Sequence, residues 1–297
     1  MTSVANVSKR TPEQQSEFEL LLREVKELRP LPAIALRLIA MSEDARFSAQ
    51  DLAETIRTDQ ALTLKILRLA NSPLFGMPRR VTSLREAIVL LGFREVRSMA
   101  LGACVVDHVM HDRLAEAGLD YEQFWMNSLA VAHFAQVLAE LEVVGREDAF
   151  TAGVVHNVGR LALGQHRPQW MAQSVEEAAS QGISVHEAQL AQFGFTDAQI
   201  GSALAAAWSF PQGLVEAAER HQWPLSDIPD RRGLDSIVAR ARRFARAHGI
   251  SDGVDLIGSR LHPDTEWQMP RVALALRAVG GVDGVVERAR AYVYGTV

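Results

Sequence analysis

The sequence has very little cysteine, since Cys104 is the only one among 297 residues. A single thiol excludes an internal disulfide framework and a zinc site built from several thiolates. Cys104 lies within the apolar stretch LGACVV, and free cysteines are among the most buried residues in proteins. We therefore expect Cys104 to be a buried structural thiol.

Long hydrophobic runs are also missing. No stretch offers the ~18–20 apolar residues that span a bilayer, because the longest candidate, IVLLGFREVRSMALGACVV, contains charged residues. The first residues, MTSVANVSKRTPEQQ, lack the apolar core of an export signal. Together these absences predict a cytoplasmic protein.

Positive charge is in the minority, with 31 lysines and arginines against 36 aspartates and glutamates and a net charge of −5. A mildly acidic chain does not attract nucleic acid as a whole, so we expect no nucleic-acid partner. The main cationic cluster comprises Arg240, Arg242, Arg243 and Arg246. It is either a solvated helix face or a site for an anion or an acidic partner.

Three common catalytic motifs are absent as well. The sequence contains no GxxxxGK[ST] phosphate loop, no strand-borne GxGxxG and no GxSxG elbow. These absences argue against a P-loop nucleotidase, a Rossmann dinucleotide enzyme and an α/β-hydrolase.

Helical signals run along the whole chain, and no segment shows the alternation of a strand with hairpin turns. The helix-start signals are Thr11-Pro12 with Gln14, Ser48 with Asp51, Asp59, and Ser83 with Glu86. Asn71-Ser72-Pro73 predicts a helix end, and Gly92 predicts another. The sequence therefore predicts an all-α protein.

The expected apolar interior of the N-terminal half consists of Ile34, Leu38, Leu52, Ile56, Leu62, Ile66, Leu69 and Leu90. The later helices are expected near 120–141, 147–165, 185–192, 197–208, 212–221, 233–247, 271–279 and 283–292. The least periodic segment is 249–269.

Two long stretches resemble one known family. The run from LRPLPAIALRLIAMSEDARFSAQDLAETIRTDQALTLKILRLANSPLF to RRVTSLREAIVLLGFREVRSMAL resembles the N-terminal half of an HDOD domain. The segments FWMNSLAVAHFAQVLAE, AFTAGVVHNVGRLAL and WSFPQGLVEAAERHQWP resemble its HD-phosphohydrolase-like half. The resemblance covers roughly residues 18–250. It implies a two-lobed helical fold, in which an N-terminal bundle packs on a degenerate HD-like domain.

The domain limits that follow are a disordered tail at 1–10, an N-terminal helical lobe at 11–117 and an HD-like lobe with C-terminal helices at 118–297. The family is associated with bacterial signalling and regulation, often without enzymatic activity. The resemblance thus implies a role in signal transduction.

Active HD enzymes, as the resemblance implies, bind one or two cations through a histidine, a later His-Asp pair and a distant aspartate. The positions that match this motif are Asn127, His156, Asn157 and Arg242. Two-metal relatives have further histidines, and the positions that match those are Asp197 and His221.

Several of these residues are poor cation ligands. Asn127 stands in place of the first histidine, and Asn157 replaces the carboxylate of the pair with a neutral amide. Gln222 follows His221 where a double histidine is expected, and Arg242, at or near the late aspartate, would repel a cation. Two imidazoles alone do not supply the three protein ligands of a catalytic zinc site. We expect no catalytic residue, metal or cofactor here, and buried, hydrogen-bonded roles for both histidines.

Two functions remain open. The first is a non-catalytic signalling or regulatory interaction module with protein partners, and with an anionic small-molecule signal as a further option. The second is a metal-dependent phosphohydrolase or nucleotide phosphodiesterase with an unconventional ligand set. A weaker surface-metal candidate is the pair His108 and His111. We also expect Asp197 and Arg242 to form an ion pair that holds the helices together in place of the metal.

Overall fold

The computed structural model describes residues 10–26, 32–43, 47–72, 75–77, 79–107, 115–142, 144–254 and 265–294. Every regular element within these ranges is a helix, which confirms the all-α class. In the same part of the chain, none of the helices combines the length and apolar character needed to cross a membrane.

In chain order the helices are α1 (Pro12–Lys26), α2 (Ala33–Glu43), α3 (Ala49–Arg57), α4 (Gln60–Ala70), α5 (Leu84–Leu91), α6 (Phe93–Asp107), α7 (Tyr121–Ala139), α8 (Arg146–Val155), α9 (Val158–His166), α10 (Pro168–Gln181), α11 (Val185–Phe193), α12 (Asp197–Ala207), α13 (Gln212–Arg220), α14 (Leu234–Ala247), a 3-10 turn (Thr265–Gln268), α15 (Pro270–Ala278) and α16 (Gly281–Tyr294).

The contacts divide the chain into two compact units. Unit 1 comprises Met1–Leu28 and Met110–Leu276, and unit 2 comprises Arg29–Val109 and Arg277–Val297. This grouping differs from the predicted lobes, which follow chain order. The first helix, α1, packs on α9 and α12 in unit 1, and the last, α16, packs on α6 in unit 2. Terminal helices bury their apolar faces where a groove accepts them, and sequence order does not encode that choice. The division at residue 117 stays a prediction.

The predicted helix starts are present in the structure. Ser48 and Asp51 cap α3 reciprocally, and the Asp59 side chain accepts a hydrogen bond from the Leu62 N–H at the start of α4. Each such cap stabilises a helix by about 0.5–2 kcal/mol. At the end of α4, the Asn71 amide donates to the carbonyl oxygens of Leu67 and Val81.

The interior of unit 2 follows the predicted pattern with two exceptions. The residues that are no more than 3% exposed include Leu38, Leu52, Ile56, Leu62, Ile66 and Leu69. Ile34 is only half-buried, and Leu90 is 42% exposed, because it lies two residues after the buried Ile88 and so points away from the buried face of α5. Cys104 is buried on α6, as expected.

Three further expectations need correction. The helix predicted at 147–165 is two helices, α8 and α9, separated at His156 and Asn157. Helix α10 was not predicted, although Pro168 stands at its first turn. Arg10, assigned to the disordered tail, instead stacks on Phe18, and its Nε donates to the Gly194 carbonyl oxygen at 3.1 Å. Residues 1–9 lie outside the described residues.

Candidate functional site

The break between α8 and α9 places His156 and Asn157 in the interior of unit 1. The His156 ring is fully buried, and its Nδ1–H donates to the carbonyl oxygen of Gly153 at 2.7 Å. A side chain that bonds a nearby carbonyl competes with the helical ladder, and the helix restarts when the Arg160 N–H donates to the Asn157 carbonyl oxygen. The hydrogen bond of Nδ1 leaves the other ring nitrogen, Nε2, as the one with a lone pair.

His221 meets His156 from the end of α13. Its Nδ1–H donates to the Ala218 carbonyl oxygen at 2.9 Å, and the two imidazole centroids are 4.9 Å apart in a T-shaped arrangement. The Gln222 amide donates to His221 Nε2 at 3.0 Å and to Asp197 Oδ1 at 3.2 Å. His156, His221 and Asp197 are thus brought together, although their sequence positions are far apart.

A buried ion network adjoins this pair. Arg160 contacts Asp197 through Nε at 2.9 Å and Asp252 Oδ2 through a terminal nitrogen at 3.1 Å. The same Asp252 oxygen also receives Arg242 at 3.0 Å and Arg246 at 3.5 Å. Three guanidinium groups therefore converge on one carboxylate oxygen in the interior of unit 1. We refer to these five residues as the ion network.

Two glycines let α9 approach α12 closely enough for the Arg160–Asp197 contact. A Cβ atom at Gly159 would collide with the Asp197 carbonyl oxygen and with the backbone of Gly201. A larger residue at position 159 would push the helices apart and lengthen the ion pair.

The remaining predicted positions have separate partners. Asn127 is fully buried on α7, and its amide donates to the carbonyl oxygen of Ile250 at 3.0 Å, which fixes the segment leading to Asp252. The expected Asp197–Arg242 ion pair is wrong, because Asp197 is held by Arg160 and Arg242 by Asp252.

The arginine cluster of α14 is also not a solvated face. Arg242 is buried in the ion network, while Arg240 pairs with Glu266 at 2.8 Å and with Glu142 at 3.4 Å. Both arginines therefore have acidic partners within the chain.

The electrostatics of the site are dominated by burial and by the arginines. Burial, together with the nearby charges of Arg242 and Arg160, lowers the pKa of His156 to about 3. Burial also holds the pKa of His221 well below its usual value. Burial alone would raise the pKa of Asp252, but its three arginine neighbours lower it far below the ordinary range. Both imidazoles are therefore neutral at pH 7, and the Asp252 carboxylate is charged.

These residues do not fit a catalytic divalent cation. The buried atoms without a hydrogen-bond partner among the described residues include His156 Nε2, Asn127 Oδ1 and Asn157 Oδ1. All three are uncharged acceptors and would be neutral metal ligands. The nearby carboxylates, Asp197 and Asp252, are already held by guanidinium groups. The positive potential that lowers the pKa of His156 would also oppose a metal ion at its Nε2.

Sequence reasoning missed Arg160 and Asp252. Arg160 carried a usable signal, because it lies three and four residues after Asn157 and His156, a spacing that puts the three on one face of the single helix predicted at 147–165. Asp252 carried none, since it lies in the aperiodic segment and its contact with Arg160 spans 92 sequence positions. The pair His108 and His111 lies outside the described residues.

Comparison with known proteins gives relatives of the same architecture. A solved HDOD domain protein of unknown function from Geobacter sulfurreducens has 24% identity and a TM-score of 0.74, covering 94% of this chain and 98% of that chain. A proposed phosphohydrolase from Shewanella amazonensis SB2B has 27% identity and a TM-score of 0.66, covering 91% and 93%. A proposed signal transduction protein from Marinobacter aquaeolei VT8 has 20% identity and a TM-score of 0.71, covering 97% and 68%.

A curated relative and a family model complete the comparison. An uncharacterized protein of Treponema pallidum (strain Nichols) is 25% identical over 203 residues, which make up 66% of this chain and only 38% of that protein. The HDOD domain model matches residues 28–224, more than half of the chain. The chain therefore belongs to the HDOD family, whose fold is related to that of proposed phosphohydrolases.

Proposed function

We propose that this HDOD-family protein is a non-catalytic module of signal transduction or regulation, which acts through protein partners. The observation that carries the proposal is the ion network, in which Arg160 and Arg242 neutralise the carboxylates that a metal would need. A hydrolytic metal site must keep anionic or imidazole ligands and an open position for water. The arrangement of charges in unit 1 supports a structural role instead.

The alternative is a metal-dependent phosphohydrolase or nucleotide phosphodiesterase with an unconventional ligand set. It is favoured by the retained imidazole pair, His156 and His221, and by the name of the 27%-identical relative from Shewanella amazonensis SB2B.

Metal analysis and hydrolysis assays on the purified protein separate these two functions. We expect no stoichiometric transition metal and no turnover of phosphomonoesters or cyclic dinucleotides with added Mn²⁺, Mg²⁺ or Zn²⁺. The control is His248→Ala, which alters a histidine that bonds the Phe244 carbonyl oxygen on α14. Robust hydrolysis that disappears in His156→Ala but persists in the control would establish the enzyme and refute the module.

A surface of unit 2 supports the protein-binding part of the proposal. A groove of about 450 Å³ lies between α3 and α5 and is lined by Ala49, Gln50, Ala53, Arg57, Arg85, Ile88 and Val89. Val89 is 75% exposed. The groove combines apolar side chains with two guanidinium groups, which suits an acidic amphipathic helix that places apolar residues inward and carboxylates toward the arginines.

Capture of partners with matched variants tests this surface. Val89→Asp places a negative charge in the groove, while Leu64→Asp changes another apolar residue of unit 2, 61% exposed, outside the groove lining. We expect a protein captured by the wild type and by Leu64→Asp to be lost with Val89→Asp. Equal capture by all three chains would remove the groove from the proposal.

A further inference from the structure

A small cavity lies beside the ion network in unit 1, with a volume of about 70 Å³. At about 30 Å³ for each water molecule, space of this size holds a few waters or one small ion. Pockets for drug-sized ligands are several times larger, at about 300–1,000 Å³. The cavity therefore fits one small ion and is too small to enclose a nucleoside.

The wall of this cavity is rich in positive charge. Arg160, Arg242 and Arg246 line it together with one carboxylate, Asp252. The Nε–H of Arg242 is buried and has no hydrogen-bond partner among the described residues. Because buried N–H groups are almost always bonded, this donor indicates an acceptor that the protein itself does not supply there.

His186 gives a second, independent indication. It lines the cavity and is only 6% exposed, and neither of its ring nitrogens has a hydrogen-bond partner within the described residues. Burial lowers the pKa of His186, so the ring is neutral at pH 7 and presents one N–H donor and one lone pair. The two nitrogens point in different directions, so a small ion in the cavity meets one of them, either as an acceptor from the N–H or as a donor to the lone pair.

The start of α11 adds a further anion-binding element. Ser184, its N-cap residue, and Val185, its first residue, both line the cavity. The capping box of Ser184 and Glu187 uses the N–H groups of these two residues. The N–H groups of Val185 and His186 belong to the same first turn, and the helix dipole makes this end positive. Anions bind readily in such positions.

We propose that this cavity binds one free oxyanion of phosphate size in a form that still carries a proton. The guanidinium groups and the helix start bind its charged oxygens, while the neutral His186 ring accepts a hydrogen bond from its hydroxyl group. Sulfate is unprotonated at pH 7 and cannot donate that bond, so it should bind more weakly. The phosphate group of a nucleotide has the same chemistry, but the cavity has no room for the nucleoside. Binding of the ion does not depend on the proposed regulatory role of the protein. Only the use of the ion as a signal rests on that proposed function.

Titration of the dialysed full-length protein with inorganic phosphate, followed by calorimetry and by thermal melting, tests this site. The design uses His186→Phe, which fills the cavity without changing any arginine, and Arg242→Gln, which removes one guanidinium group. Arg243→Gln, on the same helix but outside the cavity lining, is the matched control. Loss of a hydrogen bond to a charged group weakens binding by about tenfold or more.

We expect saturable phosphate binding to the wild type and to Arg243→Gln. Phosphate should bind at least about tenfold more weakly to the two cavity variants, and sulfate should bind the wild type at least about tenfold more weakly than phosphate does. Should Arg242→Gln fail to fold, His186→Phe alone decides. Three results would each overturn the site: phosphate acting no differently from chloride, His186→Phe binding like the wild type, or AMP binding where phosphate does not. The hydrolysis assay is separate, so failure here leaves the proposed function standing.

Discussion

The two units differ in what they bury. Among the described residues, five of the buried Asp and Arg side chains belong to unit 1, namely Arg160, Asp197, Asp235, Arg242 and Asp252, whereas unit 2 buries Arg97. The other buried residues of unit 2 are apolar or carry a neutral hydroxyl group, and Arg97 donates to the Leu38 carbonyl oxygen. A helical bundle does not require buried charge, because well-packed apolar residues stabilise as well or better. The contrast shows that a charged interior is particular to unit 1, where each buried carboxylate needs its guanidinium partner.

The largest expected effect comes from removing the shared carboxylate. Asp252→Ala leaves three guanidinium groups without their common partner, and removal of one member of a buried ionic group costs about 3–5 kcal/mol. The control is Asp230→Ala, an exposed aspartate of the same unit whose carboxylate accepts one hydrogen bond from the Arg232 N–H, for which we expect a loss of about 0.5–1.5 kcal/mol. Urea unfolding of both variants measures the difference. A loss below about 1 kcal/mol for Asp252→Ala would mean that the charges of unit 1 are not coupled as described.

The next largest effect is a pH dependence of the free energy of unfolding, which arises from His156 in unit 1. The pKa of His156 is about 3 in the folded protein and about 6.5 in an unfolded chain. The unfolded state therefore binds more protons between these values, and stability is lost as the pH falls from about 6.5 toward 3. Between pH 7.5 and pH 5 this single histidine accounts for roughly 2 kcal/mol.

Replacing that histidine gives the measurement. In His156→Gln the loss of unfolding free energy between pH 7.5 and pH 5 should be smaller than in the wild type by that amount. The buried His221, whose pKa is also lowered, still contributes in both proteins. An identical pH dependence in the two proteins would refute the buried neutral imidazole.

The smallest effect concerns packing in unit 2. Ile56 is fully buried on α3, and Ile56→Val removes one methylene group from an apolar interior. We expect a loss of about 0.5–1.5 kcal/mol, and the same loss at pH 7.5 and at pH 5, because no titrating group is changed. Urea unfolding at both pH values measures this. A loss of unfolding free energy that differs between the two pH values would contradict the assignment of the pH dependence to unit 1.

The predictions from sequence succeeded where short-range forces decide the structure. Ser48 with Asp51, and Asp59, cap helices through hydrogen bonds within three residues, so the pattern is present in the local sequence. The prediction of one helix at 147–165 was wrong because the His156 side chain takes the Gly153 carbonyl oxygen, a choice that depends on burial. Asp252 was missed because its three arginine partners come from α9 and α14. No local pattern in the sequence encodes such a convergence.

At the site, the resemblance to a family identified positions that local sequence patterns did not. It named His156, Asp197, His221 and Arg242, and the structure brings these residues into one connected group through hydrogen bonds, ion pairs and ring contacts. It could not name their partners Arg160 and Asp252, because the resemblance concerns only the positions of the motif and not the residues that contact them.

The single cysteine of the chain allows the opening of unit 2 to be followed by the rate of thiol labelling. Cys104 is 7% exposed on α6 of unit 2, so a thiol reagent can react with it only when that helix region opens. When opening and closing are fast relative to the reaction, the labelling rate reports the free energy of local opening. Because the sequence has no second thiol, this rate follows unit 2 without any engineered label, while the chain otherwise remains native.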